Sequence, residues 1–177
     1  MRLPKSIRQI SLARMKPLTE AEIRAAFVNC SKGEAKRLSV PRDLADRPWD
    51  DLDYLGWRDP QAPDRAYLAV ELDGRLKALA LRTSAGGPGQ ARRSMCRLCL
   101  TTHSGGVSLM VARKAGRAGQ QGNSVGAYIC SDLACSLYVR GKRDAGVGGR
   151  LHETITLEER IERTVAHLAA FVAKVTG

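Results

Sequence analysis

Two closely spaced pairs of cysteines constrain the fold of this 177-residue chain more than any other feature of its sequence. Cys96 and Cys99 lie in "SMCRLCLTTHSGG", and Cys130 and Cys135 lie in "YICSDLAC". A structural Zn²⁺ site needs four such ligands in a tetrahedron, with each sulfur about 2.3 Å from the metal. A C-x2-C turn presents two thiolates, and a pair at a strand end and in a first helical turn can complete the shell. The sequence therefore predicts a zinc site formed by these four cysteines.

Other uses of the first cysteine pair need residues that the chain does not place beside it. Haem attachment requires a histidine directly after the second cysteine, where Leu100 stands. A nucleobase deaminase needs H-x-E and P-C-x-x-C motifs, which the sequence lacks. A thioredoxin-like site needs a helix after its C-x-x-C, whereas glycine-rich hairpin sequence follows here. A redox switch stays open, because zinc thiolates can be oxidised.

His103 is the main alternative ligand, since it follows Cys99 closely and could replace Cys130 or Cys135. Four thiolates already fill the shell, so we expect His103 beside the ligands or on the surface. A metal with four protein ligands has no open position for water or substrate, which argues against zinc catalysis. The sequence also shows no Ser-His-Asp spacing, phosphate-binding loop or paired-carboxylate motif. We therefore expect no catalytic residue and no enzyme activity.

The segment after the first cysteine pair predicts a β-hairpin followed by a short helix. Strands are expected over 107–112 and 124–129, joined by a glycine-rich basic tip. The stretch "SDLACSLYVRG" has capping residues at its start and a glycine near its end, which is typical of a short helix. The order of cysteine knuckle, hairpin and helix is that of a treble-clef zinc finger.

The N-terminal part predicts one helix over "LTEAEIRAAFVNCSKGE". Thr19 begins a capping box, and Gly33 can end the helix. One face of this helix would carry Ile23, Phe27 and Cys30. Cys30 is therefore expected in the core and not at the metal.

Two further elements give an α+β fold with β-hairpins, an N-terminal helix and a long C-terminal helix. Asp73-Gly74 suits a two-residue hairpin turn between strands over 67–72 and 75–82. Thr156 and Glu159 form a capping box for the last helix. Its apolar stripe consists of Ile161, Val165, Leu168, Val172 and Val175. The connecting segment should be anchored to the core by Trp49, Tyr54 and Trp57.

These elements suggest three parts of the chain. Residues 1–14 are expected to be a disordered or non-native extension, because "MKPLTEAEI" from Met15 resembles a natural start. Residues 15–84 should hold the N-terminal helix and the first hairpin. Residues 94–177 should form the zinc-finger region with the C-terminal helix, after the flexible link "SAGGPGQARR".

The charge of the chain favours acidic partners. The formal net charge is +11 and the sequence pI is about 9.9, which suits nucleic acid, a ribosome or an acidic protein surface. No apolar run approaches the roughly 20 residues of a membrane span. The first residues lack the apolar region and cleavage site of a secretory signal. We therefore expect a cytoplasmic monomer with no membrane partner.

The segment from Met95 to Gly141 resembles the C-terminal treble-clef zinc-finger domain of the elongation-factor-G-binding (FBP) proteins, the bacterial family that includes the fusidic-acid-resistance proteins. The resemblance extends over residues 17 to 176. It implies that the four cysteines hold zinc, and that the domain binds elongation factor G and helps its release from the ribosome. The resistance proteins carry a helical bundle before the zinc-containing half, and we expect that bundle to be absent or much reduced here.

Basic residues in two places are the predicted contacts for such a partner, because acidic surfaces attract them. The first group lies on the hairpin tip and the second just past the zinc helix: Arg113, Lys114 and Arg117, then Tyr138, Arg140, Lys142 and Arg143. The alternative function is a basic zinc finger that binds RNA or the ribosome directly. Few aromatic residues accompany the basic ones, which weakens a mode based on base stacking.

Overall fold

A computed structural model describes residues 14–83, 93–149 and 152–177 of the chain. The extension predicted over residues 1–14 lies almost wholly outside the described residues, as does the predicted glycine-rich link. The strands are β1 (Leu55–Arg58), β2 (Arg65–Leu72), β3 (Arg75–Thr83), β4 (Arg93–Met95), β5 (Thr102–Ser104), β6 (Val107–Arg113) and β7 (Ser124–Cys130). The α-helices are α1 (Glu20–Ala25), α2 (Lys32–Arg37), α3 (Gly116–Gln120), α4 (Cys135–Val139) and α5 (Leu157–Thr176). Within those described ranges, no helix combines the length and apolarity that a membrane crossing requires.

One antiparallel sheet of five strands organises the molecule, in the order β1-β2-β3-β6-β7. The predicted turn joins β2 to β3, and both Asp73 and Gly74 have positive φ, 51° and 70°. Both predicted strands of the second hairpin are present as β6 and β7. Strands β4 and β5 form a separate two-stranded sheet that holds the first cysteine pair between them.

Helix α5 covers one face of the large sheet. Its N-terminus has the predicted capping box, with the Glu159 N–H donating to Thr156 Oγ1 at 3.2 Å. The apolar stripe of α5 is buried apart from Val165, which is half-buried. It packs on sheet residues that share this face: Leu68, Leu79, Leu81, Met110 and Ile129. The four cysteines belong to the same core, so the metal centre is continuous with the packing of the sheet.

The opposite face is covered over β1 to β3 by the N-terminal segments. Trp49 and Trp57 are buried there, and their indole N–H groups donate to Leu44 O and Ser39 O at 2.8 Å. Tyr54 is buried on the α5 side instead. The predicted anchoring of the connecting segment by these three aromatic residues is thus confirmed.

The single N-terminal helix of the prediction is wrong. The capping box of Thr19 is present, but α1 ends at Ala25 and the chain extends to bridge Phe27 with Ala78 of β3. A second capping box at Ser31 then starts α2, so Gly33 lies inside a helix and ends none. The tip between β6 and β7 also differs from the prediction, because it contains α3. The predicted α+β fold class and long last helix are confirmed.

Candidate metal centre

The four predicted cysteines converge at one end of the sheet. Cys96 and Cys99 stand on the turn between β4 and β5, Cys130 ends β7, and Cys135 begins α4. All four side chains are buried. Their sulfur atoms all lie within 4.8 Å of one another.

Two leucines with left-handed backbone give these turns their shape. Leu100 has a φ of 59° directly after the first pair, and Leu133 has a φ of 57° between the second. Such values cost energy for a residue with a side chain, so the surrounding structure must hold them. Backbone bonds close both turns: the Leu100 N–H donates to Cys96 O at 3.0 Å, and the Leu133 N–H to Cys130 O at 2.8 Å.

The sulfur geometry fits zinc. Four sulfurs at about 2.3 Å from Zn²⁺ would form a tetrahedron with edges of about 3.8 Å. The Sγ atoms of Cys96 and Cys135 are 3.6 Å apart, and those of Cys99 and Cys130 are 3.5 Å apart. Zinc in a closed four-sulfur shell serves as a structural cross-link. The cofactor of this chain is therefore zinc.

The electrostatics of the cluster suit a bound cation. Hydrogen bonds from the other three thiols, that from Cys130 first, lower the pKa of Cys96 below its usual range. Burial, with the neighbouring thiols, raises the pKa of Cys135 above its usual range. The cluster thus favours one thiolate and opposes the ionisation of all four. A divalent cation removes that opposition by compensating the added negative charge.

His103 lies beside the cysteine cluster. Its Nε2 is 3.3 Å from Cys130 Sγ, and its ring meets Tyr138 edge-on with centroids 4.6 Å apart. An ionised Cys130 sulfur can only accept, so Nε2 then carries the proton and donates. This placement matches the expectation that His103 neighbours the ligands, and such partners orient metal ligands.

Tyr54 and His167 also support the site, and sequence reasoning missed both. The Tyr54 hydroxyl lies beside Cys135 without a hydrogen bond of normal geometry, and burial together with the nearby thiols raises its pKa. His167 Nδ1 of α5 is 3.0 Å from Leu98 O in the cysteine turn. Only its spacing of three residues from Thr164 and four from Phe171 could have placed His167 on the inner side of α5.

The predicted contact residues in and just past α4 are mostly engaged within the molecule, and Tyr138 lies inside α4 rather than past it. Arg140 pairs with Asp53, and the Tyr138 hydroxyl donates to Asp132 at 2.7 Å. Lys142 and Arg143 stay about half exposed, with side-chain exposures of 56% and 51%. Lys142 pairs with Asp51 at 2.7 Å, and Arg143 lies 3.4 Å from Asp132.

The structure does not bring the two predicted groups of contact residues together. Arg113, Lys114 and Arg117 lie at the end of the β6–β7 hairpin that is remote from the cysteines. A strand of seven residues separates the two ends by about 20 Å. Lys114 Nζ reaches the carbonyl of Gly177 at 3.4 Å, while Arg113 and Arg117 are exposed. The hairpin tip therefore contacts the C-terminal end of α5 and lies away from the metal centre.

Comparison with known proteins agrees with this architecture. The family model described as FBP C-terminal treble-clef zinc-finger matches residues 22–175. Among solved structures, "Structure of the fusidic acid resistance protein FusC" has a similar fold, with a TM-score of 0.53 and 17% sequence identity. The alignment covers 81% of this chain and 54% of that chain, so this chain spans about half the length of FusC. No curated protein sequence matches the chain.

Proposed function

Since the chain belongs to the FBP C-terminal treble-clef zinc-finger family, we propose that it is an accessory protein of translation that binds elongation factor G in the cytoplasm. The observation that carries this proposal is the extent of the family match. It spans residues 22–175, which include the sheet, the cysteine turns and α5 together. FusC, a fusidic acid resistance protein by its description, shares the fold. Because the chain covers 54% of FusC, resistance itself is no part of the proposal.

The closed metal centre supports a binding role. Four buried cysteine sulfurs within 4.8 Å of one another leave zinc no position for a water or a substrate. The zinc then fixes the relative positions of β7, α4 and the β4–β5 turn. We infer that the chain works by presenting a rigid surface, without catalysis.

The segment just past α4 is our candidate contact surface for elongation factor G. Lys142 and Arg143 are half exposed, and they stand on the segment that the zinc holds in place. The Arg143 guanidinium lies 6.0 Å from the centre of the Tyr138 ring, which orients it. A partner with acidic surface would be steered to a chain of net charge +11.

Binding to purified elongation factor G tests the proposal directly. We expect a complex with a dissociation constant in the micromolar range or tighter at low salt, measured by calorimetry. The variant Lys142→Gln/Arg143→Gln should weaken it several-fold. Arg75→Gln/Lys174→Gln removes the same charge from exposed positions elsewhere and should leave binding unchanged. No binding of the zinc-loaded chain at micromolar concentration would overturn the proposal.

The finer part of the proposal is that binding hastens release of elongation factor G from the ribosome. We expect the dissociation of labelled factor from ribosomes to become faster when the chain is added in excess. The Lys142→Gln/Arg143→Gln variant should need a higher concentration for the same effect. Binding without faster dissociation would retain the accessory role and remove release as its purpose.

A further inference from the structure

Within residues 14–83, 93–149 and 152–177, no element covers part of the sheet face opposite α5. Helices α1 and α2 and the two tryptophans cover this face over β1 to β3. On β6 and β7 the same face carries Leu109, Val111, Gly126 and Tyr128, with Val111 opposite Gly126 and Leu109 opposite Tyr128. Leu109 and Val111 are half-buried, and Tyr128 is 52% exposed. We call these four residues the open sheet face.

An arginine-lined cavity of about 340 Å³ adjoins the open sheet face. Its lining includes Arg37 of α2, Arg65 of β2, Arg82 of β3 and Arg113 of β6. Val111 also lines it, so the cavity and the open sheet face form one surface. A cavity of this size can hold a nucleotide-sized ligand.

Among the described residues, the positive charges around this cavity are only partly balanced by acidic side chains. Arg65 and Arg82 stand directly opposite each other on β2 and β3, an arrangement that costs stability through like-charge repulsion. Glu34 is the one acidic residue among the described residues that line the cavity, and it accepts a hydrogen bond from Ser31 N at 2.7 Å. Asp64 pairs with Arg82 at 2.5 Å from outside the lining. An anionic ligand would relieve the remaining repulsion, and the guanidinium fork suits phosphate oxygens.

Tyr128 indicates which anion fits. It is the diagonal cross-strand neighbour of Val111, at a distance of about 7–8 Å between such positions. Gly126 beside it has no side chain, which leaves the tyrosine ring accessible from that side. Arg97, which is exposed, lies next to Tyr128, since the backbone N–H of Arg97 donates to Tyr128 O at 2.8 Å.

Single-stranded nucleic acid carries both phosphates and stackable bases, and this surface offers a cluster of arginines with one exposed aromatic ring beside it. An acidic peptide would use the arginines and leave the ring without a partner. We propose that the open sheet face and its arginine-lined cavity bind single-stranded nucleic acid, with phosphates at the arginines and a base stacked on Tyr128. The open sheet face and its cavity lie on the other side of the sheet from α5.

Fluorescence anisotropy with a labelled single-stranded oligoribonucleotide of about 12 nucleotides tests the proposal on the zinc-loaded full chain. Affinity should fall steeply as salt rises from about 50 to about 200 mM. Arg65→Gln/Arg82→Gln should raise the dissociation constant at least tenfold. It should also make the slope of log K against log salt shallower by about 1.4, since two phosphate contacts are lost.

Matched variants separate this surface from the general basic charge. Arg75→Gln/Lys174→Gln removes the same charge elsewhere and should change affinity less than twofold. Tyr128→Ala should weaken binding about fivefold or more, whereas Tyr128→Phe keeps the ring and should bind like the parent. The substituted side chains are all exposed, so we expect each variant to fold. Zinc content and circular dichroism equal to those of the parent check this.

Two outcomes would overturn the proposal. Equal losses in the Arg65→Gln/Arg82→Gln variant and the Arg75→Gln/Lys174→Gln control would mean that no defined site exists. Displacement of the oligonucleotide by poly-glutamate at equal charge concentration, with Tyr128→Ala unchanged, would assign the surface to an acidic protein. Elongation factor G is absent from this assay, so its result is independent of the function proposed above.

Discussion

Arg140 and Asp53, 87 residues apart in the chain, form a two-pronged ion pair with nitrogen–oxygen distances of 2.6 and 2.8 Å. Their side chains are only 12% and 10% exposed, and the carboxylate raises the pKa of Arg140 further. Lys142 and Asp51 add a second pair beside it. Together these pairs tie the segment after α4 to the segment before β1. The end of α4 is thus held against the chain before β1 by contacts that do not involve the metal.

Asp53→Asn should destabilise the zinc-loaded protein by about 3 kcal/mol, because it leaves a nearly buried guanidinium without its counter-charge. Urea denaturation followed by circular dichroism measures this change. Lys142→Gln breaks the neighbouring, more exposed pair and should cost at most about 1 kcal/mol. Equal effects of the two substitutions would show that burial of the Arg140 pair contributes nothing extra.

Removal of zinc by a strong chelator, or the substitution Cys99→Ser, should release the β4–β5 turn and α4. Zinc binding contributes of the order of 10 kcal/mol to the folding of small fingers, so its loss should abolish local structure. Amide exchange should lose protection over residues 94–104 and 130–141, while the β2–β3 hairpin keeps most of its own. Cys30→Ser is the matched control, because Cys30 lies outside the cluster and should leave one zinc per chain. Unchanged protection after chelation would contradict a structural role for the metal.

Gly56→Ala should weaken zinc binding from outside the cysteine turns. A Cβ atom at Gly56 would collide with Cβ of Leu133 and lie 2.9 Å from its carbonyl oxygen. Leu133 is the left-handed residue between Cys130 and Cys135, so the turn that carries them must shift. We expect a cost of about 2 kcal/mol, seen as earlier zinc loss to a chromophoric chelator.

Gly33→Ala is the control for this substitution. A Cβ there would meet only side-chain atoms of Arg37 and Ser31, at 3.5 Å or more, and alanine favours the helix α2 that contains it. Zinc retention should therefore match that of the parent. If both alanine variants lose zinc alike, the contact between Gly56 and Leu133 does not support the site.

Glu153 should make stability depend on pH. Arg163 donates two hydrogen bonds to it at 2.8 and 2.9 Å, which lower the pKa of the carboxyl below its ordinary value of 4.5. A lower pKa in the folded state means that the pair stabilises the fold above about pH 4.5. That stabilisation is lost as the pH falls through the folded-state pKa.

The difference in melting temperature between the parent and Glu153→Gln measures this contribution at each pH. We expect about 1 kcal/mol in favour of the parent near neutral pH, shrinking towards zero below the folded-state pKa. Glu162→Gln, at an exposed position of α5, should show no such trend. A difference that stays constant with pH would exclude the ion pair as its cause.

Local motifs in the sequence predicted the structure well because their contacts span only a few residues. The Thr19 and Thr156 capping boxes and the Asp73-Gly74 turn form as expected. The four cysteines were predictable as a group because a tetrahedral shell demands all of them. The capping box at Ser31 carried the same kind of information, and it would have divided the N-terminal helix correctly.

Long-range contacts explain what the sequence could not predict. The spacing of Ile23, Phe27 and Cys30 suits a helix, but backbone bonds between the segment after α1 and Ala78 of β3 favour an extended chain. Arg140 was predicted as a partner contact because it is a basic residue near the zinc helix. In the fold, Asp53, far away in sequence, pairs with it and neutralises its charge. The cavity at Arg65 and Arg82 depends on strand register and on the position of α2, and neither has a local motif.

The position of the first cysteine pair between β3 and β6 has a consequence for the order of folding. Strands β2 and β3 pair through a two-residue turn, so they can form early. Pairing of Thr83 with Met110 must instead close the loop of residues 84–109, which contains Cys96 and Cys99. Zinc can first join that knuckle to the end of β7, so that the loop arrives as part of a pre-assembled β6–β7 unit. The free zinc concentration would then set the rate of folding as well as the final occupancy of the site.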